Sequence, residues 1–138
     1  MGSRRQSREN ALQMLYSADN FSMDRAEVLE CFQEYLPKED AYRDFCMTLF
    51  VGVLENQKVI DKLIAKYAQN WDMDRMAVVD RNILRLSAYE IIFMSDTPIN
   101  VIIDEAVEIS KQYSTKDSSK FVNGILDKLK TSRIAPVL

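Results

Sequence analysis

The sequence predicts an all-α fold, and three observations predict it. Apolar residues recur three and four apart along nearly all of the 138 residues, the period of a helix with one buried face. Only 3 Gly and 3 Pro occur, too few for the turns that a β-sandwich or a doubly wound sheet needs. Hydrophobic residues make up 47% and charged residues 28%, enough apolar surface to build a core, which excludes disorder as the default.

Residues 1–4 read as a flexible start. A first helix is expected from about Arg5 to Ala18, with Leu12 and Leu15 facing inward. Asp19, Asn20, Phe21 and Ser22 read as a turn, and Ser22 or Asp24 can cap a second helix that carries Val28, Leu29, Phe32 and Leu36 up to Pro37. A third helix starts near Lys38 with Phe45, Leu49, Phe50 and Val53, and breaks at Glu55, Asn56 and Gln57. Val59, Ile60, Leu63, Ile64 and Tyr67 mark the inner face of a fourth.

The fifth helix follows Trp71 and runs to about Met94; its sequence is the centre of the chain. Met76, Val79, Ile83 and Leu86 form its apolar stripe, and the stripe continues onto a charged residue, Glu90. Arg81 and Arg85 lie one turn apart on the neighbouring face. Buried charges persist only when paired, so Arg85 and Glu90 are expected to find partners on adjacent helices. Thr97 as N-cap and Pro98 in the first turn open a sixth helix that reaches Tyr113. After a polar link, residues 114–117, a seventh helix carries Phe121, Val122, Ile125, Leu126 and Leu129 and frays by Thr131. No repeat or long linker divides the chain, so residues 1–138 read as a single domain.

Several chemistries have no support. There is no His, hence neither the commonest general base nor the commonest metal ligand. The glycines are isolated, so no phosphate-binding loop exists, and Asp72 with Asp74 lacks the rest of a calcium loop. Asp104 and Glu105 are adjacent on a helix and diverge by about 100°. No catalytic residue, metal ligand or cofactor is nominated. Cys31 and Cys46 sit among apolar helical neighbours and read as buried thiols. The longest apolar run, residues 45–54, is far short of the roughly 20 residues that span a bilayer. No secretory signal is visible, and a cytoplasmic protein is expected.

Charge is unevenly placed. Residues 1–10 sum to +2 and residues 111–138 to +4, which leaves −9 on the residues between them. Basic ends around an acidic middle make one anion-binding edge if the ends meet in space, and two solvated termini if they do not. The first-helix arginines lie where the helix dipole prefers acids, and binding an anion is one reason to place them there. At the other end, Asp117 or Ser118 can cap the seventh helix, with Lys116 and Lys120 adding positive charge. Phe121 fits two roles, a stacking platform for an unpaired base or a core residue one turn before Ile125; the pattern alone favours the core. Gly124 inside the helix points to close packing against another helix, or to a ligand that approaches closely. Trp71 reads as a core plug.

The segments DRMAVVDRNILRLSAYE after Trp71, PINVIIDEAVEISKQY and DSSKFVNGILDKL, with the opening SRENALQMLY, closely resemble the NusB family of transcription antitermination factors. The resemblance covers essentially the whole chain. It implies about seven helices in two packed bundles, binding to the single-stranded boxA RNA signal, partnership with the ribosomal small-subunit protein NusE, and assembly on RNA polymerase, notably in ribosomal RNA operons. It implies RNA contacts at Arg4, Arg5, Arg8, Asp117, Lys120 and Phe121, beside Lys116, and contacts to NusE at Tyr16 and Asp80. It moves Phe121 from the core reading towards a base contact. Two other classes are weighed: the RNA-recruiting domain of a ribosomal RNA cytosine methyltransferase, which needs a following cofactor domain, and a helical module that homodimerises through an acidic face.

Overall fold

A computed structural model of the protein describes residues 3–36, 41–69 and 71–133. Among these, seven α-helices run in the order α1 (Arg4–Asn20), α2 (Arg25–Phe32), α3 (Ala41–Glu55), α4 (Gln57–Tyr67), α5 (Val78–Phe93), α6 (Ile99–Tyr113) and α7 (Lys116–Leu129). Short 3-10 turns precede α5 at Met73–Arg75 and follow α7 at Lys130–Ser132. Helices α1, α2 and α3 pack into one bundle, α4, α6 and α7 into another, and α5 touches α1 and α3 on one side and α4, α6 and α7 on the other.

That position explains the sequence of α5. Ile83, Leu84, Leu86, Ala88 and Ile91 are buried, and so are Asp80, Asn82, Arg85 and Glu90. A helix enclosed for most of its length by two bundles turns many polar groups inward, and most of these find partners there. Glu90 accepts both arms of the Arg8 guanidinium from α1, at 2.8 Å each. Arg85 donates to both carboxylate oxygens of Asp61 on α4, at 2.8 and 2.9 Å, and to Asp19 on α1 at 2.9 Å. Arg81 grips Asp19 at 2.6 and 2.7 Å, and Asn82 donates to it at 2.9 Å. The expected pairing of Arg85 and Glu90 is therefore present. Asp19, expected in a turn, is instead the hub of a polar cluster, and α1 continues through it to Asn20.

Other boundaries shift for local reasons. Ser3 accepts from the Gln6 N–H and caps α1, so the helix starts at Arg4, and Ser3 and Arg4 are not part of a flexible start. Asp24 and Glu27 form a reciprocal capping box at the start of α2. Helix α2 stops at Phe32, and Leu36 is buried in the turn beyond it; the expected stop at Pro37 and start near Lys38 lie outside the described residues. Met76 is buried but precedes α5. Pro98, not Thr97, is the cap of α6, and so is not a first-turn residue. Val59 is exposed, not inward-facing. Of the cysteines only Cys46 is buried, and burial pushes its thiol up to about 11; Cys31 is exposed, because the short α2 turns only Val28 fully into the core. Gly52 seats the Tyr89 ring, which a Cβ there would meet.

Candidate nucleic-acid interface

The start of α7 is the best-built candidate. Thr115, not Asp117 or Ser118, is the cap: its Oγ1 accepts from the Ser118 N–H at 3.0 Å. This frees Asp117 to sit exposed in the first turn, where a carboxylate suits the helix dipole. The Ser118 hydroxyl turns inward and donates to Asp80 Oδ2 at 2.9 Å, which ties the start of α7 to the start of α5. Lys116 and Lys120 are exposed on the same helix end.

A cavity of about 260 Å³ opens beside this turn, lined by Trp71, Asp80, Asp117, Ser118 and Phe121. Trp71 is 51% exposed, so it is a wall of this cavity rather than a core plug. Its ring meets that of Phe121 edge-on, with centroids 5.7 Å apart. Phe121 is half-buried: one side packs on the core, the other faces the cavity. Both readings of this residue therefore have a physical basis. Asp80 Oδ1 is buried and, among the described residues, lacks a hydrogen-bond partner. The aromatic wall, the exposed Asp117 carboxylate and the nearby lysines have the chemistry to take a flat ring that carries N–H donors and a phosphate.

The N-terminal arginines divide. Arg4 is exposed, with its guanidinium 4.2 Å from the centre of the Phe45 ring. Arg5 pairs with Glu105 of α6 and keeps 42% of its side chain exposed. Arg8 is a correction. Its side chain is 3% exposed and its guanidinium is committed to Glu90, so it is not open to a phosphate. Arg133, counted with the basic end of the sequence, is also committed. It donates to the carbonyls of Ile91 and Thr97 at 2.7 and 2.8 Å and closes the C-terminal end of α5. On α6, Glu105 takes Arg5, and Asp104 lines a groove with Lys120 of α7.

The two residues assigned to a protein partner also divide. Tyr16 lines an apolar cleft of about 370 Å³ with Phe21, Phe32 and Val79. Phe21 is 65% exposed and meets Tyr16 edge-on at 6.4 Å. Asp80 is a second correction. It is buried and held by Ser118, because consecutive residues on a helix point about 100° apart and Val79 takes the cleft side. Sequence reasoning missed Asp19, Ser118 and Glu105 as anchors. Arg81 and Arg85, one turn apart on a core helix, were the only signal that a facing acid was required.

Comparison with known proteins agrees with this architecture. The NusB family model matches residues 5–131. The transcription antitermination protein NusB of Geobacter sulfurreducens is 48% identical over 130 residues, 94% of each chain. That of Elusimicrobium minutum is 45% identical over 135 residues, 96% of each. The structure of T. maritima NusB superposes with a TM-score of 0.86 at 37% identity, covering 96% of this chain and 93% of that one. A crystal structure of the antitermination factors NusB and NusE in complex with dsRNA superposes with a TM-score of 0.84 at 27% identity, covering 94% and 96%. With a family match over most of its length and relatives this similar end to end, the chain belongs to the NusB family.

Proposed function

We propose that the protein is a cytoplasmic transcription antitermination factor that binds single-stranded boxA RNA together with NusE and assembles with RNA polymerase, notably on ribosomal RNA operons. The observation that carries the RNA contact is the cavity at the start of α7, where Phe121 and Trp71 meet beside Asp117, between Lys116 and Lys120. Phe121 stacks on a base, Asp117 accepts from its donors, and the lysines hold the backbone. Arg4 and Arg5 contact phosphates at the other basic end, Arg5 by exchanging Glu105 for RNA. Arg8 acts indirectly, by holding the start of α1 against Glu90. Tyr16 and its cleft receive NusE, with Asp80 supporting the adjoining turn from inside.

Phe121→Ala is expected to weaken binding of single-stranded boxA RNA by about 1–3 kcal/mol, the value of one stacked base. A fluorescence titration with and without NusE measures it, with circular dichroism to check the fold. The same titration with duplex RNA should show no Phe121 effect, because a paired base is not free to stack. Unchanged single-strand affinity in the folded variant would return Phe121 to the core. Replacing Arg4 and Arg5 with Ala should reduce the slope of log K against log salt by about 0.7 for each phosphate that the protein no longer neutralises. A slope identical to the parent's would remove both residues from the interface.

A further inference from the structure

A second cavity, of about 350 Å³, lies between the end of α4 and the middle of α7. Tyr67, Trp71 and Phe121 line it, with Lys120 and Lys128 at its rim. Gly124 lies among these residues, and a Cβ added there would meet nothing within 4 Å. The sequence reading of Gly124 as a close helix contact is thus overturned. Glycine inside a helix is unfavourable relative to alanine, and no neighbour among the described residues requires it here. What its missing side chain provides is open space over the helix.

Lys120, Gly124 and Lys128 follow at intervals of four, so they lie along one stripe of α7, about 12 Å from end to end. The stripe reads cation, bare backbone, cation. Both lysines are exposed and neither has an ion-pair partner among the described residues. Lys128 in the last turn also suits the helix dipole, which accounts for that lysine but not for the glycine. The groove adjoins the cavity at the start of α7, because Trp71 and Phe121 line both. The two rings form a ridge with a cavity on either side.

We infer that this groove is a second nucleotide site, which takes the stretch of single-stranded RNA next to the base at Phe121. The unpaired base lies over Gly124 against the aromatic wall, and the phosphates on either side meet Lys120 and Lys128. The inference rests on the RNA reading of the α7 start. Specificity here is low, since stacking and backbone charge are tolerant of base identity.

The test is a titration of the full chain with boxA RNAs of graded length, extended at either end, using Gly124→Gln, Lys128→Gln and Phe121→Ala. Gln is a better helix former than Gly, so the first variant should melt no lower than the parent. It is expected to lose about tenfold in affinity for RNAs above a threshold length, as for one stacked base, and to bind shorter ones normally. Lys128→Gln should reduce the salt dependence for the same long RNAs alone. The inference is overturned if Gly124→Gln binds every length as the parent does. It is equally overturned if the loss extends to the shortest RNA, which would make Gly124 part of the Phe121 site. Phe121→Ala separates the two readings: if it weakens binding while Gly124→Gln does not, only the second site falls. If neither variant has an effect, the RNA reading of the α7 start falls with it.

Discussion

Glu90→Ala is expected to lower the unfolding free energy by about 3–5 kcal/mol, the cost of leaving a buried charge without its partner. Glu90 and Arg8 are the most enclosed ion pair among the described residues, with side-chain exposures of 1% and 3%. Without Glu90, the Arg8 guanidinium keeps Glu105 at 3.5 Å and the face of Phe45 at 5.2 Å. Neither replaces two short charge-assisted hydrogen bonds. Replacing both members, Arg8→Met with Glu90→Met, should recover most of the loss, since an apolar pair of similar volume avoids the desolvation penalty altogether. Urea denaturation of the two variants and the parent measures both effects. A shift below about 1 kcal/mol for Glu90→Ala would mean that water reaches the pair and that it counts as a surface contact.

Asp19→Asn is the second large effect, expected to cost about 3 kcal/mol at neutral pH, because Arg81 and Arg85 lose the charge they share. It also carries a pH signature. Burial alone would push the Asp19 carboxyl up, but hydrogen bonds from Arg81 and Asn82, with the charges of Arg85 and Arg81, outweigh it and hold the group below its ordinary value. A carboxylate depressed in the folded state contributes its stability fully above the unfolded value of about 3.9 and loses it as pH falls through the folded value. The parent should therefore lose stability in acid, while the variant lacks this contribution at every pH. Urea midpoints of the two proteins should converge below about pH 4. A constant gap between them down to pH 2 would show that the cluster is held by shape rather than by charge.

Both effects come from contacts the chain makes across 62 to 82 residues of sequence. This separation marks what could be read in advance. The helical breaks at Asn56 and before Pro98, the cap at Asp24 and the burial of Ile83, Leu86 and Ile125 follow from spacing and cap chemistry within a few residues. Likewise, the exposed charges of the α7 start belong to one helical turn and were legible together. The pairing requirement of Arg85 and Glu90 was legible too, as a charge on a core stripe, but not the identity of the partners. The failures share a cause. Arg8, Arg133 and Asp80 look like free charges in sequence and are consumed inside the fold. Trp71 and Gly124 look like packing residues and lie open beside Phe121.

Local sequence was enough for the helices, their order and, apart from residues such as Val59 and Cys31, their inner faces, because a helix is specified by neighbours within about one turn. Which charges remain available to a partner, and which aromatic surfaces remain uncovered, was settled only when the helices packed. Those outcomes depend on desolvation and on pairing between helices, which local periodicity does not encode.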